Sequence, residues 1–321
     1  MKRIFATLAA ALAVAASAPP AAAYPERPIT FVVPFPPGGS SDAIARTLSQ
    51  KMSASLGQPI VIENVAGATG AIGATRVKRA APDGYTVLVA SIGVYATNPF
   101  LQKNLPYDPV KDFDLLTVLV RAPNVLVLHP SVPANSVAEF VEYLKKNPDR
   151  VSFASSGAGS SDHLTAALFW QRTGTTGLHV PYKGGGPAIS DLLAGHALAS
   201  FQNLNAIAAH VKAGKLKALA ITGDRRSAAL PDVPTLAEAG VKDVEVYSWQ
   251  AAAAPKGLPK SVRDKLHAAF VAALNDADVA PKLTAQGFEL VGNTPEQFSQ
   301  FLTQELARWK QVIERGKITI D

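Results

Sequence analysis

The sequence predicts an α/β chain of two successive units, each a mostly parallel sheet covered by helices. Three observations predict it. Short apolar runs alternate with helix-length stretches in the order β-loop-α-β-loop-α-β. The same order starts again near Leu115. The composition is that of a chain with a large core: 321 residues, 48% hydrophobic and 17% charged, with 23 glycines and 24 prolines marking many turns.

The elements follow in order. Ile29-Thr30-Phe31-Val32-Val33 reads as a buried strand, and Pro34-Phe35-Pro36-Pro37-Gly38-Gly39-Ser40-Ser41 as a loop. A helix is expected over 42–56, with Ser40 or Ser41 as its cap and Gly57 as its stop. Ile60-Val61-Ile62-Glu63 is a second strand, entering the loop Gly67-Ala68-Thr69-Gly70-Ala71-Ile72-Gly73 and another helix. Pro82-Asp83-Gly84 is a turn, and 86–90 a third strand. In the second unit, strands at 115–120 and 125–128 flank Arg121-Ala122-Pro123-Asn124, and a helix fits Val137–Lys146. A strand at 151–155 runs into Ser156-Gly157-Ala158-Gly159-Ser160-Ser161 and a helix from Asp162. A strand at 178–180 leads to Pro181-Tyr182-Lys183-Gly184-Gly185-Gly186 and a helix from about Pro187, and 218–222 is one more strand. The C-terminal part carries two apolar helix faces. One holds Val262, Leu266, Ala269, Phe270, Ala273 and Leu274; the other holds Phe298, Phe301, Leu302, Leu306, Trp309, Val312 and Ile313. Residues 244–254 precede these helices and are expected to return the chain to the first unit. Crossings near 121–124 and Trp249 divide it into 24–122 with 250–321, and 123–249.

Composition also excludes functions. With no cysteine there is no disulfide, thiol nucleophile, iron–sulfur cluster or cysteine-based zinc site. The six histidines lack metal-ligand spacing, so neither a metal nor any other cofactor is expected. A net charge of +6 without a basic stripe argues against nucleic acid. Lys2 and Arg3, the apolar run 4–16 and the small residues up to Ala23 have the layout of a signal peptide cleaved between Ala23 and Tyr24. No later stretch has the length and apolarity of a membrane span, and no cysteine follows the signal as a lipid anchor, so the expected compartment is the periplasm.

The chemistry sits in loops that open helices. A Gly- and Ser-rich loop running into a helix presents free backbone N–H groups and the positive end of the helix dipole, which together hold an anion. One such loop is only a cap; several, from both units, fit a ligand in the crevice outside the strands' carboxyl ends. Asp42 and Asp162, each just after its loop, suit the helix dipole and can order the loop through backbone N–H bonds. No P-loop, Gly-x-Gly-x-x-Gly or Gly-x-Ser-x-Gly pattern is present. Ser160 and His163 remain a rival pair for a secreted serine hydrolase.

These loops carry a family resemblance. Pro34-Phe35-Pro36-Pro37-Gly38-Gly39-Ser40-Ser41-Asp42, Glu63-Asn64-Val65-Ala66-Gly67-Ala68-Thr69-Gly70 and Pro82-Asp83-Gly84-Tyr85-Thr86 come first. Ser155-Ser156-Gly157-Ala158-Gly159-Ser160-Ser161-Asp162-His163-Leu164 and His179-Val180-Pro181-Tyr182-Lys183-Gly184-Gly185-Gly186 follow, then Leu230-Pro231-Asp232-Val233-Pro234-Thr235 and Glu238-Ala239-Gly240. In this order the set resembles the Bug-type solute-binding proteins of tripartite tricarboxylate transporters. The resemblance implies a two-lobed type II periplasmic-binding-protein fold with crossover strands. It implies a monomer that performs no catalysis, captures a small mono- or dicarboxylate, aliphatic or aromatic, and delivers it to integral-membrane transporter subunits. A protein that reports its ligand to a membrane receptor is the other role of such a fold. The implied binding positions are Phe35, Gly38, Gly39, Ser40, Ala68, Thr69, Ser91, Ser156, Gly157, Gly159 and Ser160. Two segments depart from the family. Gln202-Asn203-Leu204-Asn205 stands where an acid is common, which disfavours selection for an amino group. Trp249-Gln250-Ala251-Ala252-Ala253 replaces the usual Trp-x-Gly pattern. Gln202 and Asn203 join the expected site.

Overall fold

The computed structural model describes residues 24–319; the expected signal segment, 1–23, lies outside them. The first unit comprises β1 (Ile29–Val33), α1 (Ser40–Leu56), β2 (Ile60–Asn64), a 3-10 turn (Ala68–Gly70) leading into α2 (Ala71–Lys78), and β3 (Thr86–Ser91). A π-helical turn (Gly93–Thr97) and α3 (Asn98–Leu101) lead to the long strand β4 (Phe113–Leu128). Next come α4 (Val137–Lys146), β5 (Ser152–Ser155), α5 (Ser161–Thr173), β6 (Leu178–Pro181), α6 (Gly185–Ala194), β7 (Ala199–Asn203), α7 (Leu204–Lys212) and β8 (Lys217–Ile221). β9 (Tyr247–Pro255), α8 (Lys260–Leu274), α9 (Ala280–Ala285), β10 (Glu289–Leu290) and α10 (Pro295–Gly316) complete the chain.

The strand order is β2-β1-β3-β9-β4-β7-β5-β6, with β10 and β8 also paired to β4. Residues 113–123 of β4 pair with β9, and residues 124–128 pair with β7 and β8. The strand therefore belongs to both sheets. This corrects the reading of two strands around a break at 121–124. Pro123 is tolerated because it ends one ladder just where the strand changes partner. Residues 244–254, expected only as a return segment, supply most of β9, which pairs with β3 on one side and β4 on the other.

Local sequence accounts for the helices. In α1, Ile44, Ala45, Leu48 and Met52 form one buried stripe against Phe31 and Val33 of β1, and Gly57 ends the helix in the left-handed region at φ 71°. Its cap is Gly39 and carries no side-chain hydrogen bond, which corrects the expected Ser40 or Ser41 cap. The α8 stripe (Leu266, Phe270, Leu274) packs on the same face, Phe31 stacking on Phe270. On the opposite face α10 starts with a capping box between Thr294 and Gln297. It buries Phe298, Leu302 and Trp309 in the core shared with Tyr95 and Trp249 and with Leu164 and Phe169 of α5. Gln171 Nε2 of α5 also donates to the Val312 carbonyl. The last helix thus braces both units.

Glu305 anchors this brace. It is buried, and its Oε2 accepts from Trp249 Nε1 at 2.9 Å and Trp309 Nε1 at 3.0 Å. Glu305→Leu leaves two buried indole N–H groups without an acceptor, each costing about 1–3 kcal/mol. Urea titration is expected to show a loss of about 2–4 kcal/mol with an unchanged slope; an unchanged midpoint would remove Glu305 from this role.

Candidate functional site

Strand direction decides where the loops meet. β4 runs from the first sheet into the second. β9 is antiparallel to β4, and β3 antiparallel to β9, so β1, β2 and β3 point with β4 toward the second sheet. β7 is antiparallel to β4, and β5 and β6 run parallel to it, so they point back toward the first sheet. The carboxyl ends of the two sets therefore face each other, and each expected binding loop leaves one of those ends. Direct contacts join the two sides: Thr97 Oγ1 donates to the Gly159 carbonyl at 3.0 Å, and a Cβ on Gly159 would lie 2.5 Å from Leu101 Cδ1.

On the first side, Asp42 is the tie. Its carboxylate accepts from Gly38 N–H (3.0 Å), Arg46 Nε (2.9 Å) and Asn64 Nδ2 (3.0 Å), and Asn64 also donates to the Phe35 carbonyl. Burial works against this carboxylate, but the Arg46, Gly38 and Asn64 donors outweigh it and hold its pKa below the ordinary value. Phe35 lies beside Gly70, and Gly39 and Ser40 open α1 with no side-chain cap. Ala68 and Thr69 both have positive φ, 45° and 51°, an unfavourable conformation for residues with a Cβ. Asn98 holds them there: it accepts from Thr69 Oγ1 at 3.2 Å and donates to the Thr69 carbonyl at 3.1 Å.

On the second side, Asp162 has the corresponding place. It is buried and accepts from Ser156 N–H (2.6 Å), Ser156 Oγ (2.7 Å) and Gln202 Nε2 (3.3 Å). Without a cation beside it, burial outweighs the Ser160 and Ser156 donors and pushes its pKa up. Ser160 caps α5, accepting from His163 N–H and donating to the Gly157 carbonyl. Asn203 donates to Asn124 Oδ1 and to Ser161 Oγ, the latter at 3.3 Å. The helices α6 and α7, which follow β6 and β7, begin without side-chain caps, as α1 does.

The crossing strands form a floor between these loops. Ser91 pairs across the sheet with Gln250, Ser248 with Ala122, and Asn124 with Asn203. Val89 and Ala252, the pair next to Ser91 and Gln250 on that face, pack among the α1 residues. Ala122 belongs to the same cluster, and two residues on Asn124 donates to Thr165 of α5. The face that carries Ser91, Ser248, Gln250 and Asn124 thus runs from the start of α1 to that of α5. Sequence reading did not assign Asn98, Asn124 or Ser248 to the site. The only signal was a polar residue interrupting an apolar strand, as in Val-Ala-Ser91 or Pro-Asn124-Val.

Comparison with known proteins places this geometry. Residues 44–318 match the tripartite tricarboxylate transporter family receptor. The chain belongs to this family. Protein BugT of Bordetella pertussis is 39% identical over 316 residues, 98% of this chain and 97% of BugT. Two solved structures are similar over nearly their whole length. One is an R. palustris protein with adipate (36% identity, TM-score 0.86, 92% of this chain and 99% of that one). The other is MatC from Rhodopseudomonas palustris with bound malate (35%, TM-score 0.83, 90% and 100%). The fold is that of a two-lobed periplasmic binding protein. Among the described residues no helix is long and apolar enough to cross a membrane.

The Ser160–His163 pair is held by local hydrogen bonds. Nδ1 of His163 accepts from Gly159 N–H at 3.0 Å, so this nitrogen is not free to act as base toward Ser160. The His163 ring stacks on His179 at a centroid distance of 3.6 Å, and His179 Nε2 contacts Ser155 Oγ at 2.6 Å. Burial lowers the pKa of His163 to about 3, helped by His179, and that of His179 to about 4. Both rings are neutral at pH 7. Below the unfolded value of 6.5 the unfolded chain binds protons that the folded chain refuses, so stability falls as the pH drops from about 6.5 toward 4. His179→Gln keeps a partner for Ser155 and removes one of these protons. Its stability measured from pH 7 to pH 4 is expected to fall less steeply than the wild type's; parallel curves would show that His179 titrates normally.

Proposed function

We propose that this protein is the solute-binding component of a tripartite tricarboxylate-type uptake system. It captures a small organic carboxylate between lobes formed by residues 24–122 with 250–321 and by residues 123–249. It then presents the closed complex to integral-membrane transporter subunits, as a monomer, with no cofactor and no chemistry. It reaches the periplasm by cleavage between Ala23 and Tyr24, and mass spectrometry of the exported protein is expected to find Tyr24 at its start; an intact Met1 would refute export by this route.

The opposed carboxyl ends of the two sheets carry the reading. They bring the uncapped start of α1 and the start of α5 to one polar floor. Helix starts offer partial positive charge and free N–H groups, which suit a carboxylate at each end of a ligand. Phe35, Gly38, Gly39, Ser40, Ala68, Thr69 and Ser91 contact it from one lobe. Ser156, Gly157, Gly159, Ser160, Gln202 and Asn203 contact it from the other. Asp42 and Asp162 order these loops and do not touch the ligand. Bending β4 and β9 where they cross is the hinge that closes the lobes. The family and the ligands of the two R. palustris structures support the same class.

Calorimetric titration of the mature protein against mono- and dicarboxylates tests this. A dissociation constant near 1 μM, about −8 kcal/mol, is expected for at least one of them. Gly39 has φ −78°, and a Cβ there meets only the Pro36 carbonyl, at 3.9 Å. Gly39→Val is therefore expected to melt within about 2 °C of the wild type and to bind at least about tenfold more weakly. Unchanged affinity would remove the α1 loop from the site, and no binding by the wild type would overturn the function.

A further inference from the structure

We propose that Gln250 is a specificity-determining residue of this cleft and selects a carboxylate that carries a hydroxyl group; the inference rests on the solute-binding reading and refines its ligand class. Gln250 is 2% exposed, and its Oε1 has no hydrogen-bond partner. It stands directly before a run of small apolar residues, Ala251 to Ala254, at the point where β9 crosses between the lobes. Its cross-strand partners are Ser91 of β3 and Val120 of β4. The neighbouring pair on its face, Val89 and Ala252, lies beneath α1 with Ile44 and Ala45. Gln250 is one step farther along, opposite Ser91 at the carboxyl end of β3. Its neighbour Trp249 points to the opposite face, against Tyr95 and Phe298.

The amide nitrogens of Gln202 and Asn203 are already committed. Gln202 donates to Asp162 and Ser200, and Asn203 to Asn124 and Ser161. Among the described residues the fully buried side-chain acceptors without a donor are Gln250 Oε1 and Asn205 Oδ1, and of the two only Gln250 stands on the crossing strands; carboxylate oxygens cannot supply a donor. A ligand hydroxyl can: it donates to Oε1 while the carboxylates at the ligand's ends accept from the helix starts. An ammonium group would need a carboxylate as it leaves water. The two acids at the loops, Asp42 and Asp162, already hold Gly38, Arg46 and Asn64, and Ser156 and Gln202. The remaining polar residues of the floor, Ser91, Ser248, Asn124 and Asn203, are neutral. An unsubstituted chain leaves Oε1 unpaired, and a site built around a hydrogen bond discriminates strongly against a ligand that lacks it.

The test is a set of matched titrations. Malate against succinate, 2-hydroxyglutarate against glutarate, and 3-hydroxybutyrate against butyrate are measured on wild type, Gln250→Met and Gln250→Glu. In the wild type, the hydroxylated member of every pair that binds is expected to bind at least about tenfold tighter. Gln250→Met, close in volume, is expected to bring that ratio near one while affinity for the unsubstituted member changes less than about threefold. Gln250→Glu, which supplies the missing charge, is expected to raise the affinity for aspartate relative to malate. A wild-type ratio near one, or a ratio that survives in Gln250→Met, overturns the inference and leaves the solute-binding reading standing. A wild type that binds no member of any pair overturns both. Should Gln250→Met melt far below the wild type, the wild-type ratio and the aspartate-to-malate ratio in Gln250→Glu decide, and an unmoved aspartate-to-malate ratio counts against.

Discussion

A single strand, β4, is hydrogen-bonded into two sheets, and the rest of the molecule is arranged around that sharing. Because β4 continues from β9 to β7 without a turn, the parallel strands of each sheet are forced to point at the other. In α/β units the loops at the carboxyl ends are where ligands bind. Here two such sets of loops are opposed across a floor only two crossing strands wide. One topological constraint thereby sets the two sets of loops against each other.

The electrostatics of the cleft are modest by construction. The cation near the α1 loop, Arg46, is paired to Asp42, and the buried His163 and half-buried His179 are neutral at pH 7. The helix starts at the floor carry partial positive charge, about half an elementary charge each, beside neutral hydroxyls and amides. The buried acids serve the loops. Asp42 ties Gly38 and Asn64 to α1, and Asp162 ties Ser156 and Gln202 to α5. With the loops already ordered, a ligand does not have to supply that ordering.

The strain and polarity concentrated at the cleft are offset elsewhere. Ala68 and Thr69 hold left-handed backbone, and buried polar groups cross the floor between the lobes. Away from it, α1 and α8 bury an aromatic and aliphatic layer on one face of the first sheet. On the other face, α10 brings Trp309 and Phe298 against Tyr95 and Trp249 and reaches α5 in the second lobe.

Much was legible in the chain alone. The periodicity of Ile29–Val33, the Gly57 stop, the Ser136-capped helix Val137–Lys146 and the apolar stripes of the last helices are local, and each element formed where its own residues placed it. Loop composition marked the helix starts at 38–42 and 156–162, because glycine and serine are needed there whatever the partner. Two matters were beyond local reading. Whether 115–120 and 125–128 are two strands or one depends on which neighbours take their hydrogen bonds, and Pro123 looks like a break until β9 is seen to begin beside it. Which polar residue reaches the cleft depends on register. Gln250 beside Ser91 and Asn124 beside Asn203 are pairs between segments far apart in sequence, and only the assembled sheet fixes their common face. Local sequence determined the elements and the glycine- and serine-rich helix starts; strand pairing decided their direction, and with it the polar floor between them.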